Sequence, residues 1–370
     1  MSLTTRGLGD LVTPGGVVLT IQTKGTLVAS KFRIRRHGAL AVAAASTLAA
    51  AGAAALASAP ASAAARAHEK SVRVAYLSFA VQNSYDAPML AAARREAAKV
   101  HVHLTVFDAN NSPTKQYSEL QDAITSHQYQ GIIVQPIFGT GLIGLVRQAI
   151  AHHIQVANLD QILGPKLNTD QPQVKGLAAN VVFVPTEIGS KLGGLVDQAC
   201  AKHNPCDVGY MYDIKASALD QAVYRGFVSA THSHHNVKIV AEGQSYFTPS
   251  DGLTATQNML QANPNLTLIV GSDQGIEGAQ QAVAAAGKTG KVILVGYGAS
   301  AAALKGVRSG AWYGDVAQLP ASEGRLVVQD IANAIRTGVS SGGVDPVSQL
   351  PGGGVITKAN VAQFHAEWPG

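Results

Sequence analysis

From Gly131 the sequence runs GIIVQPIFGTGLIG, ending with Gly139, Gly141 and Gly144 in the spacing G-x-G-x-x-G. Asp160 lies 21 residues past the first of these glycines, at the end of IQVANLD. In a dinucleotide fold, such glycines let the backbone approach a pyrophosphate at a helix N-terminus, and the acid takes a ribose hydroxyl. The position argues against that chemistry. A fingerprint of this kind belongs to the first strand-helix turn, and here the first apolar run leads into SFAVQNSYDAP, which has no glycine. Gln135-Pro136-Ile137-Phe138 also separates the motif from its own strand, and 38 glycines in 370 residues make chance matches easy. The glycines are therefore read as permitting a turn and a helix start. No NAD or other cofactor is expected, and the residues that end the strands carry the chemistry.

Nine apolar segments read as strands: 72–78, 102–109, 131–136, 155–160, 207–213, 237–244, 266–273, 292–298 and 312–318. Amphipathic stretches such as DAPMLAAARREAAKV alternate with them. Continuous β-branched runs alternating with helices imply parallel sheets covered on both faces, an α/β class. Nine strands exceed one small lobe, and the polar, proline-bearing segment around 161–185 reads as a surface connection between two Rossmann-like lobes. Open parallel sheets bind ligands beyond the carboxyl ends of their strands. Those ends are Ser78, Asp108, Gln135, Asp160, Asp213, Gln244, Asp273, Tyr297 and Gln318. Such a hydrogen-bonding set suits a small polyhydroxylated molecule better than a pyrophosphate.

The N-terminus reads as a targeting segment. KFRIRR at 31–36 precedes an uncharged, alanine-rich run from Gly38 to Ala65 containing the triplet Ala61-Ser62-Ala63. A basic region, an apolar region and a small-residue site describe a secretory signal peptide cleaved near residue 63. The run is long enough for a membrane anchor, but alanine is a weak membrane residue and Pro60 argues for cleavage. It holds no cysteine for a lipid anchor. Arg35-Arg36 is a poor twin-arginine pattern, so the export route stays open. No methionine occurs between Met1 and Met89, and residues 1–30 read as a misassigned start. Residues 1–63 carry six basic side chains against Asp10, so the remainder holds 22 basic and 22 acidic residues. With no basic surplus there is no electrostatic case for nucleic acid. Cys200 and Cys206, the only cysteines, are expected to pair as a disulfide in an exported protein.

The chain resembles the sugar-binding periplasmic proteins of ABC importers, the ribose-binding-like type I group. The resemblance rests on VAYLSFAVQNSYDAPMLAAARREA, FDANNSPTKQYSELQDAI, GIIVQP, IQVANLD, GSDQGIEGAQQAVAAAGKTGKVILVGYGAS and DVAQLPASEG, in that order from about Val72 to Gln363. It implies two lobes joined by a three-segment hinge, with lobe one at 72–184 plus 319–352 and lobe two at 185–318 plus 353–370. It also implies a ligand site of Asn83, Tyr85, Asp86, Gln135, Asp160 and Gln161 on one side. Phe247, Ser272, Asp273 and Gln318 complete it. Three departures set this chain apart. Gln161 stands where the family has arginine, Gly296-Tyr297-Gly298 lacks the family's second acid, and no arginine matches on the helix near Asp220. A more neutral site is expected.

Each assignment has a plainer counterpart. Tyr85 could be a helix-start core residue, Phe247 a lobe-core aromatic, and Asp273 a helix cap. His232, His234 and His235 in THSHHN form a loop cluster better read as solvated than as zinc ligands. His152-His153 fits a helix C-terminus. No G-x-S-x-G, H-E-x-x-H or phosphate-loop motif nominates an enzyme. The reading is a monomeric, non-enzymatic binder that delivers a small sugar or polyol to a membrane permease. The alternative is a sensory protein presenting its ligand to a chemoreceptor or kinase. A repressor of related architecture would need a helix-turn-helix where the signal segment stands.

Overall fold

The computed structural model describes residues 71–370, so the signal segment and the expectation for residues 1–30 lie outside the described residues. The strands are β1 (Val72–Ser78), β2 (Val102–Asp108), β3 (Gly131–Val134), β4 (Gln155–Asp160), β5 (Ala179–Val182) and β6 (Cys206–Tyr212). They continue as β7 (Val237–Gln244), β8 (Leu268–Ser272), β9 (Ile293–Gly298), β10 (Gly314–Ala317), β11 (Gly342–Val344) and β12 (Val355–Thr357). The helices are α1 (Asp86–Lys99), α2 (Pro113–Thr125), α3 (Gly139–Ala151), α4 (Pro185–Cys200) and α5 (Ala218–Thr231). After these come α6 (Pro249–Ala262), α7 (Asp273–Ala285), α8 (Ala301–Ser309) and α9 (Pro320–Thr337).

Two six-stranded sheets result, ordered β11-β5-β4-β3-β1-β2 and β12-β10-β9-β8-β6-β7. All pairs are parallel except β10 with β12. Burial on both faces follows the period of two. In β1, Val74 and Tyr76 enter one core while Ala75 and Leu77 enter the core on the opposite face. In β8, Leu268 and Val270 separate from Ile269 in the same way. The chain passes between the sheets three times: after β5, after β10, and between β11 and β12. Helix α9 returns after the second passage to pack on α1, β3, β4 and β5 of the first sheet.

Local signals set the helix starts. Ser112, Ser217, Thr248, Ser272 and Ser300 each accept a backbone N–H from three residues on. Each satisfies a donor that the helix itself leaves unpaired. Cys200 and Cys206 form the expected disulfide, joining the end of α4 to the start of β6. The structure also corrects the reading of 161–185 as connection only. Ala179–Val182 is a fully buried strand between β4 and β11. Its four residues include Asn180 and are too few to show a period.

The G-x-G-x-x-G glycines open α3, as the sequence reading held. A Cβ on Gly139 would stand 2.2 Å from the carbonyl oxygen of Ile162, so the glycine lets the helix abut the loop after β4. Gly144, in the same helix, has open space where a Cβ would lie. The two should respond oppositely to alanine. Gly139→Ala is expected to lose about 1–3 kcal/mol through overpacking. Gly144→Ala should gain about 0.5–1 kcal/mol from helix propensity. Urea unfolding of both variants checks the pair; equal losses would contradict the packing account.

Candidate functional site

Strands β1, β3 and β4 of one sheet and β6, β8 and β9 of the other end around a cavity of about 50 Å³. Nine of the ten residues expected at the site line it; Asp273 does not. From the first lobe come Asn83, Tyr85, Asp86, Gln135, Asp160 and Gln161. Phe247 and Ser272 face them from the second lobe, and Gln318 follows β10 at the second passage between sheets.

Gln135 organises the first side. Its Nε2 donates to Asp86 Oδ1 at 2.6 Å and to Asp160 Oδ2 at 3.1 Å. Its Oε1 accepts the N–H of Phe79 at 3.0 Å, tying the loop after β1 to the end of β3. Asn83 closes the same loop by accepting the N–H of Tyr85 at 2.8 Å. Asp160 is left-handed, with φ +66°, a conformation that aspartate tolerates and that turns the chain out of β4. Only 3% exposed, it keeps Oδ1 buried without a well-formed hydrogen bond, as are the Tyr85 hydroxyl and both oxygens of Glu323. The Tyr85 hydroxyl and the Glu323 carboxyl lie against the Asp160 carboxyl and act on it as hydrogen-bonding neighbours.

Asp213, immediately after β6, organises the second side. Its Oδ1 accepts the hydroxyls of Ser245 at 2.5 Å and Ser272 at 2.6 Å, and its Oδ2 accepts that of Tyr297 at 2.9 Å. Ser272 also accepts the N–H of Gly275, so one hydroxyl caps α7 and supports the acid. Phe247 is held at φ +57° after β7, facing Phe79 edge-on across the cavity at 6.3 Å.

Asp273 departs from the expectation for a physical reason. The cap of α7 is Ser272, and the Asp273 side chain turns away, taking the N–H of Ser300 at 2.7 Å at the start of α8. There it lies fully buried beside Asp315. The expectation of a more neutral site also fails. Asp86, Asp160 and Asp213 all line the cavity, and no lysine, arginine or histidine does. Burial raises all three carboxyls: Asp86 well above the ordinary range, Asp160 to about 6 against the hydrogen bond from Gln135, and Asp213 against its hydroxyl donors.

Sequence reading missed several cavity residues. Phe79, Phe183, Leu219 and Gln274 are ordinary loop or helix-start residues with no spacing signal, and Trp368 lies two residues from the last residue, Gly370. Asp213 and Tyr297 were visible as strand ends, but the resemblance did not imply either as a ligand-site residue. Trp368 donates its indole N–H to the carbonyl of Gly298 at 2.7 Å and meets Tyr85 edge-on at 5.3 Å. Among the described residues no group of three or more His, Cys, Asp or Glu could hold a metal; His234 instead meets Asp197 at 2.5 Å.

Two α/β lobes, three passages between them and a cavity at the carboxyl ends of both sheets define a type I periplasmic binding fold. The chain belongs to the periplasmic binding protein domain family, whose model matches residues 74–338. The D-allose-binding periplasmic protein of Escherichia coli is 30% identical over 264 residues, 69% of this chain and 81% of that protein. The ribose import binding protein of Salmonella typhimurium is 25% identical over 249 residues, 67% of this chain and 79% of that one. By this kinship the chain is a binding protein, not an enzyme. Among solved structures, a solute-binding protein of Bacillus halodurans with bound myo-inositol superposes with a TM-score of 0.70. It is 20% identical, covering 80% of this chain and 98% of that one.

The raised Asp160 value has a sign that can be tested. An acid whose folded pKa exceeds its unfolded one binds more protons when folded, so stability falls as pH rises between them. The interval here runs from 3.8 to about 6. Above it the ionised side chain costs up to about 3 kcal/mol. Asp160→Asn keeps the shape and the left-handed backbone, and should stabilise the ligand-free protein at pH 7 with a gain that shrinks towards pH 4. Thermal unfolding across that range checks it; a destabilised variant at neutral pH would contradict the account.

Proposed function

We propose that this protein is the exported solute-binding component of an ABC importer, capturing a small sugar or polyol between its lobes and delivering it to a membrane permease. The observation that carries the reading is the cavity itself. Carboxyl and amide groups converge on it from both lobes, and the rings of Tyr85, Phe247 and Trp368 lie beside them. Carboxylates and amides pair with vicinal hydroxyls in planar arrays, while aromatic faces pack on the C–H side of a ring. Relatives named for allose and ribose binding support the same class.

Export to the periplasm or cell-envelope exterior agrees with the family and with the Cys200–Cys206 disulfide. We assign residues 1–63 to targeting and cleavage, with no lipid anchor, and the lobes to 72–184 plus 319–352 and 185–318 plus 353–370. No described helix is long and apolar enough to cross a membrane. Delivery to a permease, rather than sensing, is tested by uptake: deleting the gene should abolish accumulation of the labelled ligand. Normal uptake with a lost transcriptional or chemotactic response would favour the sensory role.

The binding class is tested by thermal shift of the mature chain against pentoses, hexoses, inositols, linear polyols and NAD. A ligand at a hundred times its Kd adds about 2.7 kcal/mol and raises Tm by several degrees. Phe247→Ala and Asp160→Asn should each weaken the sugar or polyol that binds by about tenfold or more, read by calorimetry. A shift with NAD alone would refute the sugar reading.

A further inference from the structure

The charge of the cavity is one-sided. Asp86 and Asp160 enter it from the first lobe and Asp213 from the second, with exposures of 6%, 3% and 1%. Glu323, wholly buried, stands behind Asp160. None of the four belongs to an ion pair among the described residues, and the cavity lining holds no cationic side chain. A buried carboxylate without a cation is costly, and several together cannot all ionise. Gln135 spreads one amide over two of them, and Asp160 Oδ1 is buried without a well-formed hydrogen bond, in a carboxyl whose other neighbours are the Tyr85 hydroxyl and the Glu323 carboxyl. Aromatic residues, Trp368 and Tyr85 among them, line the same cavity, and an aromatic face attracts a cation as well as a C–H surface.

We infer that the ligand carries the missing positive charge: a sugar- or cyclitol-sized ring bearing a protonated primary amine, placed against Asp160 and within reach of Asp213. The inference rests on the sugar-binding reading above and narrows its substrate class. An ammonium group supplies three donors and a charge, so it can satisfy Asp160 Oδ1 and relieve the repulsion among Asp86, Asp160 and Glu323. A neutral hydroxyl supplies one donor and no charge. Gln161 is part of the same arrangement. A guanidinium at that position would meet the carboxylates from within the chain and compete with the ligand's cation, whereas the amide leaves their charge for the ligand.

Calorimetry on the mature chain would compare matched pairs at a pH where the amines are protonated: D-glucosamine with D-glucose, D-galactosamine with D-galactose, D-mannosamine with D-mannose, and an aminocyclitol with myo-inositol. The expected result is that at least one amine binds about tenfold or more tightly than its neutral partner, a difference of about 1.4 kcal/mol. Gln161→Arg should then cut that preference by about tenfold or more. Asp213→Asn, which is nearly isosteric, should also reduce it and guards against a misfolded arginine variant. Neutral sugars binding as well as or better than their amines would overturn the inference while leaving the sugar-binding reading intact. Binding by neither series would overturn both.

Discussion

One side-chain amide, that of Gln135, holds together three loops that form half of the site. It donates to Asp86 at the start of α1 and to Asp160 at the end of β4, while its side-chain carbonyl takes the N–H of Phe79 in the loop after β1. Its backbone carbonyl is held in turn by Gln116 of α2 at 2.7 Å, and the Gln116 carbonyl accepts the N–H of Ile137. A residue so fully engaged has little freedom left for the ligand. It is better understood as the piece that fixes two carboxyl groups side by side at the cost of their desolvation. Replacing it with an apolar side chain would leave two buried acids without a donor, a larger loss than one hydrogen bond.

The second lobe reaches the same end by other means. Asp213 gathers hydroxyl donors from the loop after β7, the end of β8 and β9, so one acid ties three strand ends together. Asp220 supports the turn behind it, accepting the N–H groups of Asp213 and Ile214 at 2.7 and 3.2 Å. The geometry is thus pre-organised on both sides before any ligand contributes, which lowers the ordering cost of binding. The unusual feature is that the organising groups carry one sign of charge. Their donors are neutral amides and hydroxyls rather than cations.

The sheets were legible because burial on both faces writes itself into sequence as long β-branched runs, and five of the nine strand ends, Gln135, Asp160, Asp213, Tyr297 and Gln318, line the cavity. What escaped was short or set by three-dimensional neighbours. Strands β5, β11 and β12 have four, three and three residues, below the length at which periodicity speaks. Asp273 looked like a ligand because it follows a strand. Its direction depends on the unpaired N–H of Ser300, 27 residues away, which no local pattern reveals. The acidity of the cavity was missed for a related reason: the losses of arginine were visible one by one, while the gain of Asp213 lay at a position where the resemblance offered nothing to compare.

The lobes meet across the cavity through residues of the site itself. Gln274 donates to the Ser84 hydroxyl at 2.9 Å, Phe79 meets Phe247, and Tyr85 meets Trp368. Contacts of these kinds are each worth about 0.5–1.5 kcal/mol. A ligand that touches both lobes can decide the equilibrium, since it shifts populations by its differential affinity for the closed arrangement. The C-terminal segment strengthens this argument. Glu367 accepts the N–H and hydroxyl of Ser322 at the start of α9, while the next residue, Trp368, is fixed to Gly298 of the other lobe. A wall of the cavity is thereby anchored to both lobes at once, so a group bound against Trp368 acts at the point where their relative position is read.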